Sequence, residues 1–93
     1  MIYSLVWNDK NLEHIALHNV KPDEVEDVCM SAPLILKARS KGKSPVYHVL
    51  GRTRAGRYLF SVIIYFGKGR GYVVTSRNMT DKERRRFAKW KNR

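Results

Sequence analysis

Three stretches constrain this chain more than anything else in it: Val46 to Arg52, Arg57 to Phe66 and Tyr72 to Arg77. Each is dense in β-branched and aromatic residues, which favour a pleated half-buried surface. Only short glycine-bearing segments separate them, too short for a crossover, so they read as an antiparallel meander with sequence neighbours paired in space. Any fold for the chain has to be built around that sheet.

The remaining elements arrange themselves before and after it. Ile2 to Trp7 alternates two side-chain classes and reads as an opening strand. Asn8 is placed to cap a helix running to about His18, with Leu12, Ile15 and Ala16 on its apolar side and Asn19 as a left-handed stop. Lys21, Pro22, Asp23 and Glu24 open a second helix, with proline in the first turn and acids at the positive end of the dipole. Its buried stripe is expected to be Val25, Val28, Cys29 and Ala32. Pro33 ends it, Leu34 to Ala38 reads as a strand, and residues 39–45 form a basic loop. Thr80 and Glu83 have capping-box spacing and start a last helix that turns Phe87 and Trp90 inward. The order β-α-α-β-β-β-β-α implies a single α+β domain over residues 1–93, an antiparallel sheet with helices packed on it.

At 93 residues one modest core is all the chain can bury. A lone cysteine, Cys29, excludes an intrachain disulfide and a cysteine metal cluster and suits a reducing compartment. The opening MIYSLVW is too short for a signal-peptide core, and no apolar run approaches bilayer-spanning length. A cytoplasmic protein without membrane attachment is expected. The net charge of +11 points to a polyanionic partner, and its distribution sharpens the point. Up to Ile35, two lysines face six acids, a balance of −4; beyond it, seventeen Lys and Arg face only Asp81 and Glu83, a balance of +15. One part of a small fold must be intensely positive, and RNA is the expected partner.

Tight turns fix register, and register decides which side chains share a face. With Thr53, Arg54, Ala55 and Gly56 as the first turn, Arg52 lies opposite Arg57, Leu50 opposite Leu59 and His48 opposite Ser61. With residues 67–71 as the second loop, Ser61 lies opposite Arg77. His48, Ser61 and Arg77 then form one row, flanked by Arg52 and Arg57, while Tyr47, Val49, Tyr58, Phe60, Val62, Ile64, Phe66, Tyr72 and Val74 make the core face. An imidazole, a hydroxyl and guanidinium groups in one row suit phosphodiester cleavage: arginine neutralises the phosphate and histidine moves protons. The competing reading makes His48 and Ser61 ordinary sheet residues and the arginines solvated strand ends.

Other groups carry weaker signals. Arg84, Arg85, Arg86, Lys89, Lys91 and Arg93 are placed to grip a phosphate backbone or to solvate a helix face. Lys68 and Arg70 sit among glycines that allow close approach to phosphate and equally allow a hairpin to turn. Tyr47, Tyr58 and Tyr72 are stacking candidates that the register above buries in the core. His14 and His18 are four apart on a helix but lack a third metal ligand, and Cys29 belongs to an apolar stripe. No metal or other cofactor is expected. Glu83 caps the last helix or orients an arginine.

The pattern resembles the BrnT family of bacterial toxins, within the RelE-like ribonuclease fold. It is carried by Val6-Trp7-Asn8 with Asn11, His18-Asn19-Val20, Pro22-Asp23-Glu24-Val25, Gly51-Arg52-Thr53, Gly56-Arg57-Tyr58-Leu59, Val62-Ile63-Ile64-Tyr65, and Val74 to Thr80 leading into Glu83-Arg84-Arg85-Arg86-Phe87. The last block is the most specific. The resemblance implies a metal-independent endoribonuclease that arrests translation and is held in a toxin–antitoxin hetero-oligomer by a cognate antitoxin. It places the catalytic roles on Arg57, Arg77, Glu83 and Arg84, to which the row above adds His48; Arg52, Lys68, Arg70, Arg85 and Lys89 are the expected RNA-binding residues. Where many relatives carry an acid and an arginine before the glycine-ending strand, this chain has Ser44-Pro45-Val46, and their His-Gly pair is His18-Asn19. The first difference removes one phosphate contact.

Overall fold

The computed structural model describes residues 2–92. Its elements are β1 (Ser4–Val6), α1 (Asp9–Ala16), α2 (Pro22–Met30), β2 (Leu34–Ala38), β3 (Val46–Arg52), β4 (Tyr58–Gly67), β5 (Arg70–Asn78) and α3 (Asp81–Lys91). The strands form one five-stranded sheet in the order β1-β5-β4-β3-β2. Strands β2 to β5 pair antiparallel, whereas β1 lies parallel to β5, so the sheet is mixed rather than wholly antiparallel. A strand joined to its partner through most of the chain is free of the hairpin constraint that makes the other pairs antiparallel.

The first helix starts as its residues dictate: the Asn8 side chain accepts from Asn11 N–H and the Asn11 side chain accepts from Asn8 N–H. Asn11 itself is buried, and its amide donates to the Val6 and Val73 carbonyls at 2.9 and 3.1 Å, tying α1 to β1 and β5. Asn19 takes the left-handed conformation (φ 57°) that ends the helical segment. Helix α2 stops at Met30, so Ala32 falls outside it, in a positive-φ turn (φ 53°) rather than on its buried stripe.

The register differs from the expected one by a single residue in both hairpins. Arg52 pairs with Tyr58, Leu50 with Phe60, His48 with Val62, and Ser61 with Val49 and Ser76. In the first turn the Thr53 hydroxyl accepts from Arg57 N–H while Thr53 N–H donates to the Arg57 carbonyl, which takes up one residue more than a four-residue turn would. The second loop is only Lys68-Gly69, both at positive φ (54° and 77°), the geometry that matches the twist of a two-residue hairpin. A bulge near Val74 shifts the pairing again between Val62↔Thr75 and Ile63↔Val73.

Two slips in the same sense turn over β4, and the bulge near Val74 turns over the start of β5 with it. Leu59, Ser61 and Ile63 face α1 and α2, in a core with Ile15, Val25, Val28, Val49 and Val73. Tyr58 and Phe60 face α3, in a second core with Leu34, Leu50, Met79 and Phe87. The expected core face is therefore corrected: Tyr47 and Val49 lie on the α1/α2 side as read, but Tyr58, Phe60, Val62, Ile64, Phe66 and Tyr72 do not. Phe66 and Val74 are exposed. No helix among the described residues is long and apolar enough to cross a membrane.

Candidate nucleic-acid interface on the α3 side of the sheet

The expected row of His48, Ser61 and Arg77 does not form, because Ser61 is fully buried on the far side of the sheet, its hydroxyl 2.8 Å from that of Ser76. His48 and Arg77 nonetheless share a face. Each belongs to a strand that slipped relative to β4, so both keep their side and Phe60 replaces Ser61 between them. The imidazole lies against the Phe60 ring (centroids 4.9 Å apart) and the Arg77 guanidinium lies over the same ring at 4.3 Å. The two groups can be no further apart than those two legs together.

Arg77 is held on three sides. Its Nη1 and Nη2 donate to the two Glu83 carboxylate oxygens at 2.8 and 3.0 Å, and Nη1 also donates to the Asn78 carbonyl at 3.0 Å. Glu83 additionally accepts from Thr80 N–H at 2.8 Å, and Thr80 Oγ1 accepts from Glu83 N–H. The cap of α3 thus fixes the carboxylate that fixes the arginine. Hydrogen bonding from Arg77 holds the Glu83 carboxyl below its ordinary value against the opposing effect of burial, and the same bond holds the Arg77 guanidinium more firmly protonated. Of the five guanidinium N–H groups three are occupied; Nε–H and one Nη2–H have no partner among the described residues.

Beside this pair lies a groove of about 290 Å³ whose walls include His48, Phe60, Lys82, Glu83 and Arg86; Arg77 itself stands just outside it, across the Phe60 ring. Lys82 and Arg86 are four apart on α3 and so share a flank. Sequence reasoning passed over Lys82 and had Arg86 only among six cations placed to grip a phosphate backbone or to solvate a helix face. A helical wheel with Phe87 and Trp90 turned inward places them on one flank, Arg84 and Lys91 on the other, and Arg85 with Lys89 along the crest. Arg84 lies over the Tyr58 ring at 4.1 Å, on the flank away from the groove, and Arg52 approaches the same ring at 5.8 Å.

Two expected groups lie elsewhere. Arg57 sits on the α1/α2 side, turned there with the rest of β4. It donates to Glu24 at 3.0 Å, to the Asn19 and His18 carbonyls, and to Asn78 Oδ1. It clips the α1–α2 turn to the sheet and is not part of the Arg77 cluster. Lys68 and Arg70 stand at the β4–β5 turn, seven residues along β5 from Arg77, which is roughly 23 Å of strand. Arg85 and Lys89 are exposed on α3, and Arg93 lies outside the described residues. Among the described residues no three His, Cys, Asp or Glu side chains gather as a metal site; His14 and His18 contact each other edge-on. Cys29 is buried, and burial raises its thiol to about 11. No family model and no curated protein matches the chain.

Proposed function

We propose that this chain is a toxin-type endoribonuclease with a RelE/BrnT-like fold that cleaves RNA, inhibits translation in the cytoplasm and is neutralised by a cognate antitoxin protein. The observation that carries the reading is Arg77, held over the Phe60 ring by Glu83, with His48 against the same ring and a groove walled by His48, Lys82, Glu83 and Arg86 next to them. A phosphate that reaches from the groove across the Phe60 ring to Arg77 meets the two N–H groups that Glu83 leaves open, with Lys82 and Arg86 as further cations on the groove side. Such preorganised donors act where negative charge develops on phosphorus in the transition state.

The chemistry that fits uses the RNA 2′-hydroxyl. Its oxygen attacks phosphorus while His48 accepts its proton, the bond from phosphorus to the 5′-oxygen breaks, and a proton returns to that oxygen. The products are a 2′,3′-cyclic phosphate and a 5′-hydroxyl. Histidine, with an unperturbed pKa of about 6.5, suits both transfers.

Purified RNA incubated with the wild-type chain is expected to yield those termini, and Arg77→Ala to lower the rate by about 100-fold or more, the usual cost of deleting one charge-stabilising donor. Arg57→Ala is expected to lose stability, about 1.5–3 kcal/mol for hydrogen bonds to a charged group, with little loss of cleavage below its melting temperature. Equal cleavage by Arg77→Ala and wild type removes Arg77 from the chemistry. One observation favours a second reading, a non-catalytic nucleic-acid-binding module: Glu83 already occupies both guanidinium ends of Arg77. Salt-dependent binding with no cleaved product supports that alternative.

A further inference from the structure

The flank of α3 that faces away from the groove at His48 holds a larger cavity, about 420 Å³, within the size range of small-ligand sites. It lies where the β3–β4 turn, the end of α2 and the second half of α3 meet, and its walls include Arg52, Arg54, Tyr58, Phe87 and Lys91. Arg54 is paired with Asp27 at 2.9 Å, but neither Arg52 nor Lys91 has a carboxylate partner among the described residues. Both cations rest only loosely on aromatic rings, Arg52 at 5.8 Å from the Tyr58 centroid and Lys91 at 6.0 Å from that of Phe87. These distances are at the outer limit of a cation–π contact. Either head group can therefore turn to an incoming anion at small cost, and the half-buried Tyr58, with Arg84 over its ring and Phe87 buried beside it, is the aromatic wall left for a planar base.

We infer that this cavity is a second nucleotide subsite, which takes the base and phosphate of a nucleotide lying beyond the one at Arg77 and the groove beside it, so that single-stranded RNA crosses α3. This rests on the ribonucleic-acid reading above and adds the path to it. The groove and the cavity stand on opposite flanks of one helix, roughly 10 Å across with its side chains. The crest between them carries Arg85 and Lys89, both exposed and four residues apart, where the crossing backbone needs phosphate contacts. A flexible single strand can bend over such a ridge; a duplex cannot.

The test compares an unstructured hexaribonucleotide with a dinucleotide, both 2′-O-methylated to block cleavage and labelled for anisotropy, on the full chain. The hexamer is expected to bind the wild type more tightly. In the double variant Arg52→Ala/Lys91→Ala its affinity falls about tenfold and its salt slope drops by about 1.4, the value for two lost single-strand phosphate contacts. The dinucleotide, which the inner groove holds alone, loses less than twofold, and Arg52→Lys retains most of the hexamer affinity. Wild-type binding with an unchanged hexamer affinity in the double variant overturns the subsite and leaves the RNA reading standing. No binding of either oligonucleotide by the wild type overturns both. Equal competition by a hexaglutamate peptide, or equal losses for both oligonucleotides, also overturns the subsite, since the cavity would then read charge or hold the fold rather than a nucleotide.

Discussion

Ser61 is the residue at which sequence and structure diverge most informatively. As a solvent-side hydroxyl it suits a catalytic row, but it is completely buried, and its single side-chain partner among the described residues is the equally buried Ser76, 2.8 Å away across β4 and β5. Two hydroxyls that satisfy each other in an apolar layer are tolerated together and costly apart. Ser61→Ala is expected to destabilise the fold by about 1–3 kcal/mol because Ser76 is stranded, and the double variant Ser61→Ala/Ser76→Ala to cost clearly less than the two singles summed. Chemical denaturation of the four proteins measures this; strictly additive losses contradict the pairing. The signal that misplaced Ser61 was turn length. Gly56 announces the hairpin, but nothing in the composition of Thr53 to Arg57 says that the Thr53 hydroxyl will take over one backbone donor and add a residue to the loop.

At the scale of elements, α3 does two jobs with one set of atoms. The Thr80–Glu83 pair that satisfies its first turn is also what orients Arg77, so the helix start and the arginine proposed to meet phosphate are a single unit. Glu83→Gln keeps a side chain able to cap and removes only the charge. The folded Glu83 value lies below the unfolded one, so its ionic contribution is fully present above about pH 4.5 and is lost as pH falls through the folded value. Wild type is expected to exceed Glu83→Gln by about 0.5–1 kcal/mol near neutrality, a modest figure for a partly exposed pair at a helix start. Thermal melts from pH 7 down to pH 3 should show that gap closing; a gap independent of pH contradicts the account. The capping box, the inward Phe87 and Trp90, the bounds of β2 and the proline-led start of α2 were all readable, because each depends on residues a few positions apart. The parallel seat of β1 beside β5 was not, since it depends on contacts between the two ends of the chain that local spacing does not encode. The same division holds for the site. The Arg77–Glu83 pair was legible from a compact motif, whereas the removal of Arg57 to the opposite face follows from one extra residue in a turn, and the places of Lys82 and Arg86 beside the groove and of Arg84 over Tyr58, away from it, required knowing which flank of α3 meets Phe60.

For the molecule as a whole, the sheet is a partition. All six acids of the first thirty-five residues lie in or at the start of α1 and α2, on one side, while Arg52, Arg77 and the α3 cations lie on the other. Binding of single-stranded RNA is expected to weaken steeply with salt, with a slope of about −0.7 per phosphate neutralised. Replacing Arg85 and Lys89 together should flatten that slope by about 1.4, whereas Lys10→Ala on α1 should leave it unchanged. A slope insensitive to the α3 changes contradicts the assignment of the binding side.

That partition also gives the molecule a permanent electrical orientation. A body about 32 by 26 by 21 Å with anionic helices behind and a cationic helix in front experiences a torque in the field of a polyanion before any contact is made. On the proposed reading, most encounters with RNA then arrive with α3 leading, and the acidic back repels a second strand. Faster productive collision comes from the arrangement of charge around the sheet, without any additional contact in the bound state.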